Sequence, residues 1–120
     1  MSVVLDASAL LCYLQQEPGA SQVSASIEHS MLSAVNWSEV AQKTASAGVD
    51  SVTTLNLLQD MGLKIVEFTV EDACICAGLW SQTRPHGLSL ADRACLALAM
   101  QGGWPVMTCD RAWTGIVYPA

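Results

Sequence analysis

Four short apolar or β-branched runs, at positions 3–5, 31–32, 64–68 and 105–108, are separated by stretches whose apolar residues recur at helical spacing. No Asn-Gly or Asp-Gly hairpin signature joins any two of them. Strands that are never linked by tight turns, and that read as continuous apolar runs, pair parallel and are covered on both faces by the intervening helices. This alternation sets the class as α/β.

Helix punctuation fills in the connections. Asp6 closes the first run and opens a helix that ends at Pro18 and Gly19, and a shorter helix passes through Val23 and Ile27. Ser33 or Asn36 caps a helix containing Glu39 and Lys43, and Asp50 opens another with Leu55, Leu58 and Met61 inward, stopped by Gly62. Thr69 with Asp72, and Ser89 with Asp92, have the three-residue spacing of capping boxes. The first predicts a helix to about Arg84, the second a helix closed by Gly102 and Gly103. Pro105 is tolerated at the start of the fourth strand, and residues 114–120 offer a short fifth. The expectation is a parallel sheet of four to five short strands flanked by helices on both faces, in a single domain over residues 1–120.

A chain of 120 residues with 52% hydrophobic content can bury a real core. Its apolar runs are shorter than a membrane span, and Asp6 interrupts an N-terminal run that has no preceding basic residues, so a cytoplasmic protein without a membrane role is expected. Five cysteines without a CxxC pair predict reduced core thiols rather than disulfides or a zinc site. The net charge of −6 opposes unaided binding to a polyanion. A nucleic-acid role therefore requires added cations.

The acids supply a place for them. Ligands of open parallel sheets bind beyond the carboxyl ends of the strands. Asp6 ends the first strand, Asp110 follows the fourth, and Glu39 lies in the early turns of the helix leaving the second. Asp92 belongs to the same edge, because a helix feeding a parallel strand starts where the previous strand ended. Two like charges about 4 Å apart repel by roughly 4 kcal/mol at an effective dielectric near 20. A hard divalent cation with oxygen ligands offsets that repulsion, and Arg93 and Arg111, each beside one of the acids, offer further neutralisation. Such an ion activates water for attack on phosphorus without a protein nucleophile. The chain has no glycine-rich phosphate loop and no GxSxG elbow, and His29 and His86 stand apart.

Read singly, each acid has a plainer role: Asp92 as a helix cap, Asp6 and Asp110 as turn residues, Glu39 as half of a surface pair with Lys43. Ser8 and Thr108 could cap or pack. The four tryptophans, Trp37, Trp80, Trp104 and Trp113, read as core or interface anchors.

The segments VVLDASALL, SAVNWSEVAQK, GLSLADRACLALA and PVMTCDRAW, carrying Asp6, Glu39, Asp92 and Asp110, resemble those of PIN-domain proteins of the VapC toxin type, in the family's order and over nearly the whole chain. The resemblance implies a PIN fold and Mg²⁺- or Mn²⁺-dependent endoribonuclease activity leaving a 5′-phosphate and a 3′-hydroxyl. It implies Asp6 and Asp92 as principal metal ligands, Glu39 and Asp110 completing the cluster directly or through water, and Ser8 and Thr108 orienting the acids. It further implies RNA as substrate, inhibition by a cognate VapB-like antitoxin, and a homodimer. The chain departs from the pattern in its short end TGIVYPA and in Cys109, where alanine or asparagine is commoner. A catalytically inactive PIN fold kept for binding or assembly is the alternative. A phosphatase of the haloacid dehalogenase type would need a second Asp two residues after Asp6, where Ser8 stands.

Overall fold

The computed structural model describes residues 2–110. The expected fifth strand, Arg111 and Trp113 lie outside the described residues. Four strands, β1 (Val3–Leu5), β2 (Ser30–Ser33), β3 (Lys64–Val66) and β4 (Val106–Met107), form one parallel sheet in the order β3-β2-β1-β4. Helices α1 (Ala7–Leu14) and α2 (Ala20–Ser26) connect β1 to β2, and α3 (Ala34–Ser46) and α4 (Ser51–Asp60) connect β2 to β3. Helices α5 (Val70–Thr83) and α6 (Leu90–Gly102) carry the chain back to β4 on the far side of β1. Third and fourth strands are shorter than their apolar runs.

The side-chain alternation of an extended strand divides the core. Leu5 and Leu32 join Ala9, Leu10, Val23, Val40 and Leu58 beneath α1 to α4. Val4 and Met31, one residue earlier on each strand, join Leu79, Cys95, Leu96 and Ala99 beneath α5 and α6. Helix α6 is buried at every position from Ala94 to Ala99, which explains why its sequence is apolar nearly all round. It packs on α5 and α3 as well as on the sheet.

Reversal of direction after β3 makes the gap between β1 and β4 the switch point of the sheet. Clefts in parallel sheets open at such points, outside the carboxyl ends of the strands. The turn into β3 is equally constrained: Gly62 has φ 111°, and a Cβ there would lie 2.6 Å from the Glu28 carbonyl oxygen.

Several expectations are corrected. Met61 is exposed rather than inward, because α4 packs through Thr54 and Leu58, one turn apart. Cys12, Cys76 and Cys95 are buried thiols, whereas Cys74 and Cys109 are exposed, and all five are free. Trp80 is exposed on α5 with the Arg84 guanidinium 4.8 Å above its ring. No helix among the described residues is long and apolar enough to cross a membrane.

Candidate active site

Asp6 owes its position to strand register. Leu5 pairs with Met107 in parallel register, so the next residues, Asp6 and Thr108, face each other beyond the strand ends. Asp6 keeps extended backbone, φ −94° and ψ 175°, and so continues the alternation that put Val4 on the α6 side. Its carboxylate also caps α1: Oδ1 accepts the Ala9 N–H at 2.9 Å and the Ser8 hydroxyl at 2.8 Å. Oδ2 accepts the Thr108 hydroxyl at 2.5 Å.

Ser8 and Thr108 are bound into this arrangement from both sides. Their hydroxyl oxygens lie 3.2 Å apart, and the Cys109 N–H donates to Ser8 Oγ at 3.0 Å. The Asp110 N–H donates to Thr108 Oγ1 at 3.0 Å, which fixes that backbone against the end of β1. The two hydroxyls thus link Asp6 to the segment carrying Asp110.

Asp92 is the third residue of α6 and forms the expected capping box: Oδ2 accepts the Ser89 N–H at 2.9 Å, and its own N–H donates to Ser89 Oγ at 3.2 Å. Glu39 is exposed on the first half of α3, the helix that leaves β2.

The charges of these groups act on one another. Asp6, only 2% exposed, has its carboxyl pushed above the usual range by burial, opposed by the Thr108, Ala9 and Ser8 hydrogen bonds and reinforced by the negative charge of Asp92. Glu39 is likewise raised, first by desolvation, against a hydrogen bond from the Asn36 side chain, then by the charges of Asp92 and Asp6, with Lys43 pulling the other way. Beneath them the buried Cys95 thiol, 3.7 Å from the Leu5 carbonyl oxygen, is held well above its ordinary range by burial and then by Asp6 and Asp92. Asp6, Glu39 and Asp92 therefore share one electrostatic neighbourhood. The donors on Asp6 are hydroxyl and amide groups, and none carries a full positive charge.

Arg93 does not supply one. Its Nη1 donates to the Cys76 carbonyl of α5 at 2.8 Å, and its Nε is buried without a partner. Adjacent residues on a helix point apart, which sends Arg93 to α5 while Asp92 faces the strand ends.

The donor set fits a hard cation of a particular kind. It consists of carboxylate oxygens, with no thiol or imidazole among the acids discussed. Among the described residues no three His, Cys, Asp or Glu side chains stand close enough to chelate an ion outright. A hard cation that keeps several waters takes only one or two carboxylates directly.

Two residues at the site were not singled out from sequence. Asn36, read there only as an alternative cap to Ser33, is 1% exposed inside α3, with Nδ2 donating to the Ala91 carbonyl at 3.0 Å and Oδ1 without a partner. Its signal was a short polar residue one turn before Glu39 on a half-apolar helix. Cys95, read as core packing, is that, and it also underlies the acids.

The family described as PIN domain matches residues 3–116. No curated protein sequence matches the chain significantly. Among solved structures the chain is similar to a toxin–antitoxin complex from Klebsiella pneumoniae, at 20% identity and a TM-score of 0.76, covering 95% of this chain and 92% of that one. It is similar to VapBC2 from Rickettsia felis bound to a promoter DNA fragment, at 13% identity and a TM-score of 0.73, over 97% and 93% of the two chains. Mycobacterium tuberculosis VapC20, a sarcin-ricin loop cleaving toxin, is similar at 13% identity and a TM-score of 0.72, over 97% and 95%. These identities speak to fold, and the family match spans nearly all the sequence. With its parallel sheet and its acids gathered at the switch point, the chain belongs to the PIN domain family.

Proposed function

We propose that the protein is a metal-dependent endoribonuclease of the VapC toxin type, acting in the cytoplasm and restrained by a cognate VapB-like antitoxin. The observation that carries this reading is the nearness of Glu39 and Asp92 to the buried carboxylate of Asp6, three acids from three segments, where the hydrogen-bond donors to Asp6 among the described residues are all uncharged. A fold keeps such repulsion at a strand-end cleft where a cation resolves it.

Asp6 and Asp92 would hold the ion, with Glu39 and Asp110 completing the set directly or through water. When bound, Mg²⁺ or Mn²⁺ supplies Lewis-acid stabilisation of a phosphodiester oxygen and activates water for hydrolysis. The chain's own contribution is orientation. Ser8, Ala9 and Thr108 hold both Asp6 oxygens, and Ser89 holds one oxygen of Asp92 and leaves the other available. The net charge of −6 makes RNA binding depend on the cations that neutralise the site.

The toxin–antitoxin complexes from Klebsiella and Rickettsia support an antitoxin as partner, and the homodimer is what the family resemblance implies. An antitoxin segment presenting Arg or Lys would neutralise the same acids by charge-assisted hydrogen bonds.

The test is cleavage of mixed cellular RNA by the purified chain with Mg²⁺ or Mn²⁺, with chelator, and with Asp92→Asn. Loss of cleavage in the last two cases supports the reading. Cleavage that survives both overturns it. A folded sample that never cleaves under any metal condition would instead be a PIN fold kept for binding.

A further inference from the structure

A buried asparagine inside a helix needs a reason. Asn36 lies at the α3 face that meets α6, where an apolar side chain would pack without leaving a polar atom unsatisfied. Instead the fold keeps an amide that is 1% exposed with its Oδ1 unpartnered. Its Nδ2 donates across the helix interface to the Ala91 carbonyl at 3.0 Å. The amide cannot turn over, because Oδ1 would then face the Ala91 carbonyl, two acceptors with no hydrogen between them.

Both ends of this bond lie beside the acids. Asn36 and Glu39 are one turn apart on α3, and Ala91 immediately precedes Asp92 on α6. The Asn36–Ala91 hydrogen bond therefore pins α3, one turn from Glu39, to the turn of α6 that carries Asp92, across a gap that mutual repulsion of the carboxylates would widen.

We infer that Asn36 is a positioning residue whose buried amide sets the spacing between Glu39 and Asp92 at which the acids together retain a divalent cation, an inference that rests on the nuclease reading above. Groups that orient metal-holding carboxylates without touching the ion characteristically change affinity or activity by about 10- to 100-fold when removed.

The test uses the full chain and Mn²⁺, followed by loss of the free-ion electron paramagnetic resonance signal, together with RNA cleavage at limiting and saturating Mn²⁺ and a thermal melt. Asn36→Leu keeps the volume and removes both donors and the unpartnered Oδ1, so its melting temperature should stay at or above that of the wild type. Its Mn²⁺ affinity should fall about tenfold or more, and saturating Mn²⁺ should restore cleavage. A purely packing role would leave affinity unchanged, and affinity within about twofold of wild type overturns the inference. Should Asn36→Leu fail to fold, Asn36→Ser is read by the same criterion. A wild type that neither binds Mn²⁺ nor cleaves RNA overturns the nuclease reading and this inference with it. A wild type that does both, beside variants that match it, overturns only the role of Asn36.

Discussion

Helices α5 and α6 begin with the same device and put it to different ends. In α5 the Thr69 N–H donates to Asp72 Oδ2 at 2.8 Å and the Asp72 N–H to Thr69 Oγ1 at 3.2 Å. In α6 the corresponding distances for Ser89 and Asp92 are 2.9 and 3.2 Å. The contrast lies in the second carboxylate oxygen. Asp72 Oδ1 accepts from Gln101 Nε2 at 2.5 Å. Burial pushes the Asp72 carboxyl up, but its hydrogen bonds from Thr69 and Gln101 outweigh that and hold it below the usual range. Asp92 faces Asp6 and Glu39 and pushes both up. Capping therefore does not commit both oxygens of an acid at this helix position. What its free oxygen meets decides between a closed structural site and an open one.

Charge removal separates the two most sharply. Asp92→Asn should lower RNA cleavage by about 10³-fold, the equivalent of several kcal/mol at tenfold per 1.36 kcal/mol, while Asp72→Asn leaves it within about twofold. Equal losses would erase the distinction. Metal linkage comes next: Mn²⁺ at about 100 times its Kd should stabilise the wild type by about 2.7 kcal/mol in a thermal melt. Asp72→Asn should keep that shift and Asp92→Asn lose it.

Stability without metal should reverse the order. Asp72→Ala gives up a cap and the Gln101 hydrogen bond, costing about 1–2 kcal/mol in urea unfolding at neutral pH. Asp92→Ala gives up a cap but relieves repulsion on Asp6 and Glu39, so it should cost less. A larger cost for Asp92→Ala would mean that repulsion at the strand ends is negligible.

The smallest effects are in the pH dependence, and they have opposite signs. The lowered Asp72 carboxyl stabilises the fold above its unfolded value of about 3.9 and loses that contribution as pH falls through its folded value. Raised carboxyls at Asp6 and Glu39 favour the fold below their unfolded values and lose that contribution as pH rises through their folded ones. Urea midpoints measured from about pH 3 to pH 8 should show the deficit of Asp72→Asn growing with pH. Over the same span Asp6→Asn should gain on the wild type.

Both capping boxes were legible in the sequence because their donors and acceptors lie within one turn. Asp6 and Thr108 were legible as strand-end residues, since a parallel sheet gathers its carboxyl ends. Their hydrogen bond was not, because it depends on the register of β1 against β4, and nothing local encodes that register. Asn36 was read as a possible cap since a polar side chain near a helix start ordinarily faces water, and only the packing of α6 shows where it points. The same tertiary fact misled the reading of Arg93, expected near the acids and found on the Cys76 carbonyl. Met61 was assigned inward by spacing from Leu58, but the α4 contact strip shifts to Thr54 and Leu58.

The place of β4 beside β1 has a consequence for timing. The two strands are about a hundred residues apart in the chain, and Asp6 receives the Thr108 hydroxyl only after they pair. A copy still being synthesised holds Asp6 and Glu39 long before it holds Thr108. The Asp6 carboxylate therefore takes up its full set of hydrogen bonds only once the last strand of the sheet is in place.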